Sequence, residues 1–389
     1  MAAVSWLGAW LEETAAARAE AGLRRTLRPR EAVDPVVDLA SNDYLGLARD
    51  PRVVEAAAAA LRTWGAGSTG SRLVTGTTRL HADLEDALAA FTGSEAALVF
   101  SSGYTANLGA VTALSGRGAL VVSDVAAHAS LVDAARLSRA RVEVARCADP
   151  AAVDAVLAAR QEARALVVVD GVDSVDGAIA PLAELYAVCR ERDAVLFVDD
   201  AHGLGVRGPG GSGTLAEAGL AGAPDVVLTA TLSKSLGSQG GVVLGARAVT
   251  EHLVDAARPF IFDTGLAPAA VGAALAALEI VRVEPERVAA LHAAAASVAA
   301  SARAAAPGVD VPAPTAAMVP VVLGDPVVAL TAAAACAEHG LRAGCFRPPS
   351  VPPGTSRLRL TARADLTADD LALVDQVLHK VLGPVASGR

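Results

Sequence analysis

Through the middle of the chain, short runs of apolar and β-branched residues alternate with stretches whose apolar positions recur at helical spacing. Ala96–Phe100, Leu120–Ser123, Val142–Ala145, Leu166–Asp170, Val195–Asp199, Val226–Thr231 and Val242–Leu244 read as strands. Ala106–Leu114, Ala129–Leu137, Ala151–Ala159 and Pro181–Glu191 read as the helices between them. Several of these strands are apolar at every position, as expected of a sheet covered on both faces. Strand and helix in alternation predict an α/β fold with a large, mostly parallel, seven-stranded sheet. Ligands of such sheets gather outside the carboxyl ends of the strands.

Beyond about residue 255 the pattern changes. Ala-rich helices over Ala267–Val281 and Arg287–Ala305 lead through a Pro-containing connector, Pro307–Pro314, to strands near Met318–Leu323 and Arg357–Thr361. Helices near Pro326–Glu338 and Ala368–Val381 complete a smaller C-terminal α+β domain. The expected organisation is an N-terminal helical segment over 1–45, a large domain over 46–255 and a small domain over 256–389.

Composition narrows the function classes. A net charge of −9 over 389 residues leaves no basic face for nucleic acid. Neither a signal peptide at the start nor an apolar run long enough to span a bilayer is apparent, so a cytoplasmic location without membrane association is expected. Cys147, Cys189, Cys336 and Cys345 are widely spaced with no CxxC pair, which predicts reduced thiols and no metal framework. The hexapeptide Gly65-Ala66-Gly67-Ser68-Thr69-Gly70 matches the dinucleotide fingerprint GxGxxG, but a helical stretch, Val53–Trp64, stands where that motif needs a strand.

Only two lysines occur, Lys234 and Lys380. Lys380 lies in an amphipathic tail and reads as solvated. Lys234 follows the strand Val226–Thr231 and precedes Ser235-Leu236-Gly237-Ser238-Gln239-Gly240-Gly241. A lysine can lose its proton and bond a carbonyl carbon, whereas a guanidinium does neither. Taken alone, Lys234 is equally an anion-binding or surface lysine, Asp199 a turn cap, and His128 or His202 a structural histidine. Their joint placement at successive strand ends, with Ser174 beside them, is what a pyridoxal 5′-phosphate (PLP) enzyme requires. Such an enzyme needs an amine for the aldehyde, a carboxylate for the ring nitrogen, a flat cover for the ring and donors for its oxygen. Ser101-Ser102-Gly103-Tyr104-Thr105-Ala106-Asn107, between a strand and a helix, suits a phosphate.

These segments together resemble the α-oxoamine synthases, fold-type I PLP-dependent transferases. The likeness runs from about Trp6 to Leu382 through Ser41-Asn42-Asp43-Tyr44-Leu45-Gly46, Gly65–Arg72, Ser102–Asn107, His128-Ala129-Ser130-Leu131, Asp199–Gly203, Thr231–Gly237 and Arg347–Thr361. The resemblance implies that Lys234 bonds the cofactor and that Asp199 meets the pyridine nitrogen. It further implies that His128 stacks on the ring and that His202 and Ser174 bond its oxygen. Gly103, Tyr104 and Thr231 would hold the phosphate, and Thr264 would reach the phosphate of a neighbouring subunit in a homodimer. Arg359 would bind the amino-acid carboxylate, with Arg24 and Asn42 as further substrate contacts. The implied activity is decarboxylative condensation of L-alanine with an acyl thioester, pimeloyl-CoA or pimeloyl-ACP, in biotin biosynthesis. Glycine- or serine-using members of the family, a non-catalytic PLP-binding protein and an NAD-dependent oxidoreductase are the competing readings. One departure is Gly171-Val172-Asp173-Ser174, where the family has an aromatic residue in place of Asp173.

Overall fold

A computed structural model describes residues 5–387 of the chain. Its strands are β1 (Val37–Leu39), β2 (Ala96–Phe100), β3 (Ala119–Asp124), β4 (Arg141–Ala145), β5 (Arg164–Asp170), β6 (Val195–Asp199), β7 (Val226–Thr231), β8 (Gly241–Gly245), β9 (Met318–Gly324), β10 (Leu341–Phe346) and β11 (Ser356–Thr361). Seven of them form one sheet in the order β2-β8-β7-β6-β5-β3-β4, and the other four form a second in the order β1-β10-β11-β9. In the large sheet only β8 runs antiparallel to its neighbours. The seven strands read from the sequence are the seven of this sheet.

Successive side chains of a strand point to opposite faces, and here both faces are covered. Val121, Leu166, Val168, Phe197, Val227 and Val243 pack with the helices Gly103–Leu114 and Ala129–Leu137. Leu120, Val122, Val167, Val169, Leu196, Val198 and Leu228 enter the larger core on the other side. That two-sided burial is why these strands are apolar throughout.

The division between the two cores does not coincide with residue 255. Val271, Ala274, Ala277, Leu278 and Val281, from the helix Pro268–Val283, belong to the core of the large sheet. β1, from the N-terminal segment, instead pairs parallel with β10, and Leu39 is buried in the small core. The helix Glu286–Ala305 is long and apolar enough to cross a membrane. Its Leu291, Ala294 and Ala295 are committed to the large core, and its Val298, Ala299 and Ala302 to the small one. It joins the two sheets' cores. Lys380 is exposed, and the four cysteines are free thiols, three of them buried.

Candidate active site

The carboxyl ends of β5, β6 and β7 open on a cavity where the expected residues meet. One lobe, of about 230 Å³, is lined by Gly103, Tyr104, Asn107, His128, Ser130, Asp170, Asp199, His202, Thr231, Ser233 and Lys234 among others. An adjoining lobe of about 670 Å³ shares His128, His202 and Lys234 and adds Asn42, Ser174, Phe346 and Arg359.

Lys234 sits in a tight loop after β7. The Leu232 N–H donates to Gly240 O at 3.0 Å, the Gly237 N–H to Lys234 O at 2.9 Å and the Ser235 hydroxyl to Leu204 O at 2.7 Å. Gly237 adopts φ +57°, and a Cβ there would lie 2.4 Å from Ala48 N, so only glycine lets this loop seat on the Leu47–Ala48 backbone. The Lys234 amine lies 2.7 Å from His202 Nε2. Burial pushes its pKa down to about 8; Arg359 acts in the same direction, while Asp199 and Asp170 oppose it. An amine with such a pKa exchanges its proton near neutrality.

Asp199 ends β6, buried. Its Oδ1 accepts from the Ala201 N–H at 2.9 Å and its Oδ2 from Asn107 Nδ2 at 2.6 Å. The adjacent Asp200 carboxylate is used internally, accepting from the Thr214 N–H and hydroxyl at 2.8 Å each. Burial raises its pKa to about 6. His128 caps the helix Ala129–Leu137, and its backbone N–H donates to Asp170 Oδ2 at 2.8 Å. Burial, then the neighbouring Asp199 charge, lifts the Asp170 pKa well above the carboxylate range. His202 is held on its far side by the Tyr44 hydroxyl, 2.5 Å from Nδ1. Burial above all, and then Lys234, holds the His202 pKa well below the ordinary histidine value.

The cradle between β2 and the helix Gly103–Leu114 is built for an anion. Ser102 caps the Thr105 N–H at 3.1 Å, while the Gly103 and Tyr104 N–H groups stand at the helix start with no partner inside the helix. A Cβ on Gly103 would meet Thr231 Cβ at 3.3 Å, so the glycine keeps the cradle close to the Thr231 hydroxyl. Thr231 Oγ1 and Ser233 Oγ lie 2.7 Å apart at its rim.

Arg359 is 3% exposed and projects from β11 beneath the larger lobe. Its Nη1 donates to Asn42 Oδ1 at 3.0 Å and Thr361 Oγ1 at 3.1 Å, and its guanidinium lies 5.4 Å from the Phe346 ring centroid. Its Nε is buried without a hydrogen-bond partner. Among the described residues no carboxylate pairs with it.

Not every expected residue converges here. Arg24 is exposed and does not line either lobe. Thr264 is exposed too, bridged to Ser71 on the surface, outside its own chain's cavity. Asp173 is spent on its own turn: Oδ1 accepts from the Val175 N–H at 2.7 Å and the Asp176 N–H at 2.8 Å. Tyr44, Asn107, Ser130 and Ser233 join the site without having been singled out from the sequence. Their motifs stood out, but Tyr44 meets His202 across 158 positions, and Asn107 meets Ser130, Asp199 and Thr229 across 23, 92 and 122. Ser130 and Ser233 also bond neighbours two positions away, His128 and Thr231. The GxGxxG segment follows the helix Pro51–Trp64 rather than a strand.

The donor set fits PLP by chemistry: an amine, a buried carboxylate, two histidines and a helix start in one cavity. Comparison with known proteins points the same way. The sequence profile of the aminotransferase class I and II family matches residues 34–377. The chain is 66% identical over 375 residues to the 8-amino-7-oxononanoate synthase of Mycobacterium sp. (strain JLS), covering 96% of each. It is 62% identical over 377 residues to that of Mycolicibacterium vanbaalenii, covering 97% of each. A serine palmitoyltransferase variant from S. paucimobilis, solved with a PLP–myriocin aldimine bound, superposes with a TM-score of 0.91 at 30% identity. That alignment covers 98% of this chain and 100% of the other.

Proposed function

The chain belongs to the aminotransferase class I and II family, and on that premise we propose its reaction and the residues that perform it. It is a PLP-dependent acyltransferase of biotin biosynthesis, joining L-alanine to a pimeloyl thioester to give 8-amino-7-oxononanoate, carbon dioxide and the free thiol. When bound, PLP supplies an aldehyde carbon that bonds amines and a ring that accepts the electron pair released at the amino-acid α-carbon.

Lys234 would hold the cofactor through its amine, and the same amine, freed when the amino acid occupies the site, would take the α-proton of alanine. The α-carbon bonds the thioester carbonyl carbon, the C–S bond breaks, the carboxylate leaves as carbon dioxide, and Lys234 returns a proton to carbon. Asp199 provides the negative charge that keeps the pyridine nitrogen protonated. His128 would cover one face of the ring, and His202 and Ser174 would bond its oxygen. Gly103, Tyr104 and Thr231 bind the phosphate through backbone N–H groups and a hydroxyl. Arg359, assisted by Asn42, receives the substrate carboxylate, with Arg24 contributing from outside the cavity. The working unit is a cytoplasmic homodimer in which Thr264 reaches the phosphate bound by the partner. Exposed apolar side chains of the helix Trp6–Glu20, including Trp6 at 79% and Trp10 at 55%, support a covered surface there.

One observation carries the reading. A single cavity holds an amine with a lowered pKa together with a buried guanidinium that lacks a carboxylate. The test is to trap the protein with PLP and borohydride, locate the adduct by mass spectrometry, and assay alanine, glycine and serine with several acyl thioesters. An adduct on Lys234 and preference for alanine with a pimeloyl thioester are expected. Preference for glycine with succinyl-CoA or acetyl-CoA, or an adduct elsewhere, overturns the reading.

A further inference from the structure

Asn107 lies at the centre of a buried network that the proposed chemistry does not itself use. Its Nδ2 donates to Asp199 Oδ2 at 2.6 Å and to Ser130 Oγ at 2.8 Å, and its Oδ1 accepts from the Thr229 hydroxyl at 2.6 Å. The orientation of the amide is determined by its surroundings. Turned over, it would set its oxygen against a carboxylate oxygen, which has no hydrogen to give. The direction then propagates. Ser130 Oγ accepts from Asn107, so its own proton is free for His128 Nδ1, 2.7 Å away. The Ser130 backbone N–H points at the same nitrogen at 3.3 Å. With two donors facing Nδ1, the neutral imidazole carries its hydrogen on Nε2.

We propose that Asn107 is a positioning residue that orients two groups at once: the Asp199 carboxylate directly, and His128 through Ser130, as the Nε2–H tautomer. Asp199 Oδ1 is tied by the Ala201 N–H, so removing Asn107 frees the other oxygen and lets the carboxylate turn. The same removal frees the Ser130 hydroxyl, and His128 loses the bond that selects its tautomer. The inference deepens the proposed function and rests on it for the roles of Asp199 and His128, but the network itself is independent of any substrate.

The test uses 15N-histidine-labelled holoenzyme, with the His128 resonances identified by their loss in His128→Asn. Wild type is expected to show one fixed Nε2–H tautomer. Asn107→Ala and Ser130→Ala should both give a mixture, and Asn107→Ala alone should also shift the visible band of the bound cofactor. In Asn107→Ala kcat should fall about 10- to 100-fold, the scale of a misplaced group near the reacting atoms. An Nδ1–H tautomer in wild type, or an unchanged tautomer and band in Asn107→Ala, overturns the proposal. Should Asn107→Ala not fold, Ser130→Ala decides it: loss of the fixed tautomer supports the wire and retention refutes it. A protein that fails to use alanine would sink the proposed reaction while leaving the tautomer readout valid.

Discussion

Replacing Arg359 with alanine tests the substrate geometry most directly. The side chain is buried, and Nη1 is already committed to Asn42 and Thr361, leaving Nε and Nη2 for an incoming carboxylate. Two charge-assisted hydrogen bonds contribute roughly 1.5–3 kcal/mol each. Water replaces part of that in the truncated site, so a loss of about 3 kcal/mol is expected, and at about 1.4 kcal/mol per tenfold this is about a 100-fold rise in KM for alanine. The thioester does not depend on this guanidinium, and its KM should change less than about threefold. A second consequence follows from charge. Arg359 lowers the Lys234 pKa, so its removal raises that pKa above about 8, and the rise of rate with pH moves to higher pH. Arg359→Lys keeps the charge but lacks the planar fork, so it should restore the pH profile more than the KM. Initial rates with each substrate varied in turn, from pH 6.5 to 9.5, supply the assay. Equal KM changes for both substrates, or a pH profile shifted to lower values, would refute the reasoning.

Lys234→Ala should abolish the covalent visible absorbance and the borohydride-fixed adduct while leaving the circular dichroism unchanged; a persistent adduct would remove Lys234 from its role. Asp173→Ala removes an acceptor for two turn N–H groups and should cost about 1 kcal/mol of stability, read as a lower Tm, with KM for alanine unchanged. A shift in KM instead would show that the carboxylate acts on substrate. His81 is fully buried between Thr78 and the Leu266 carbonyl. Burial lowers its pKa to about 4. It therefore binds a proton more readily unfolded, and its contribution, present above about pH 6.5, is lost as pH falls toward 4, by up to about 3 kcal/mol. Denaturant midpoints measured across that range should show the loss, and His81→Gln should flatten that part of the slope.

The large sheet was legible because burial on two faces leaves unbroken apolar runs, and no other element writes its signature so plainly. β10, Leu341–Phe346, escaped because Arg342 and Gly344 interrupt any such run. β1 has three residues, too few for a pattern, and is held by pairing with β10 rather than by its own propensity. The boundary between cores escaped for a related reason. The helices Pro268–Val283 and Glu286–Ala305 are both Ala-rich, and composition does not say which sheet an alanine face will meet.

The site divides along the same physical line. Lys234, Asp199 and His202 were readable because each ends or follows a strand and carries chemistry that its position explains. Asn107, Ser130 and Tyr44 act on those residues rather than on a ligand, and their worth depends on neighbours brought together by the fold. Asn107 lies 92 positions from Asp199 and 122 from Thr229. Asp173 makes the converse case. As an extra carboxylate beside Ser174 it departs from the family pattern, yet both of its turn hydrogen bonds come from residues two and three positions ahead. Burial raises its pKa, and the Asp176 backbone bond opposes that. A short-range turn thus holds the Asp173 carboxylate in place, and its charge reaches the cavity through Asp170, whose pKa it helps burial and Asp199 to raise.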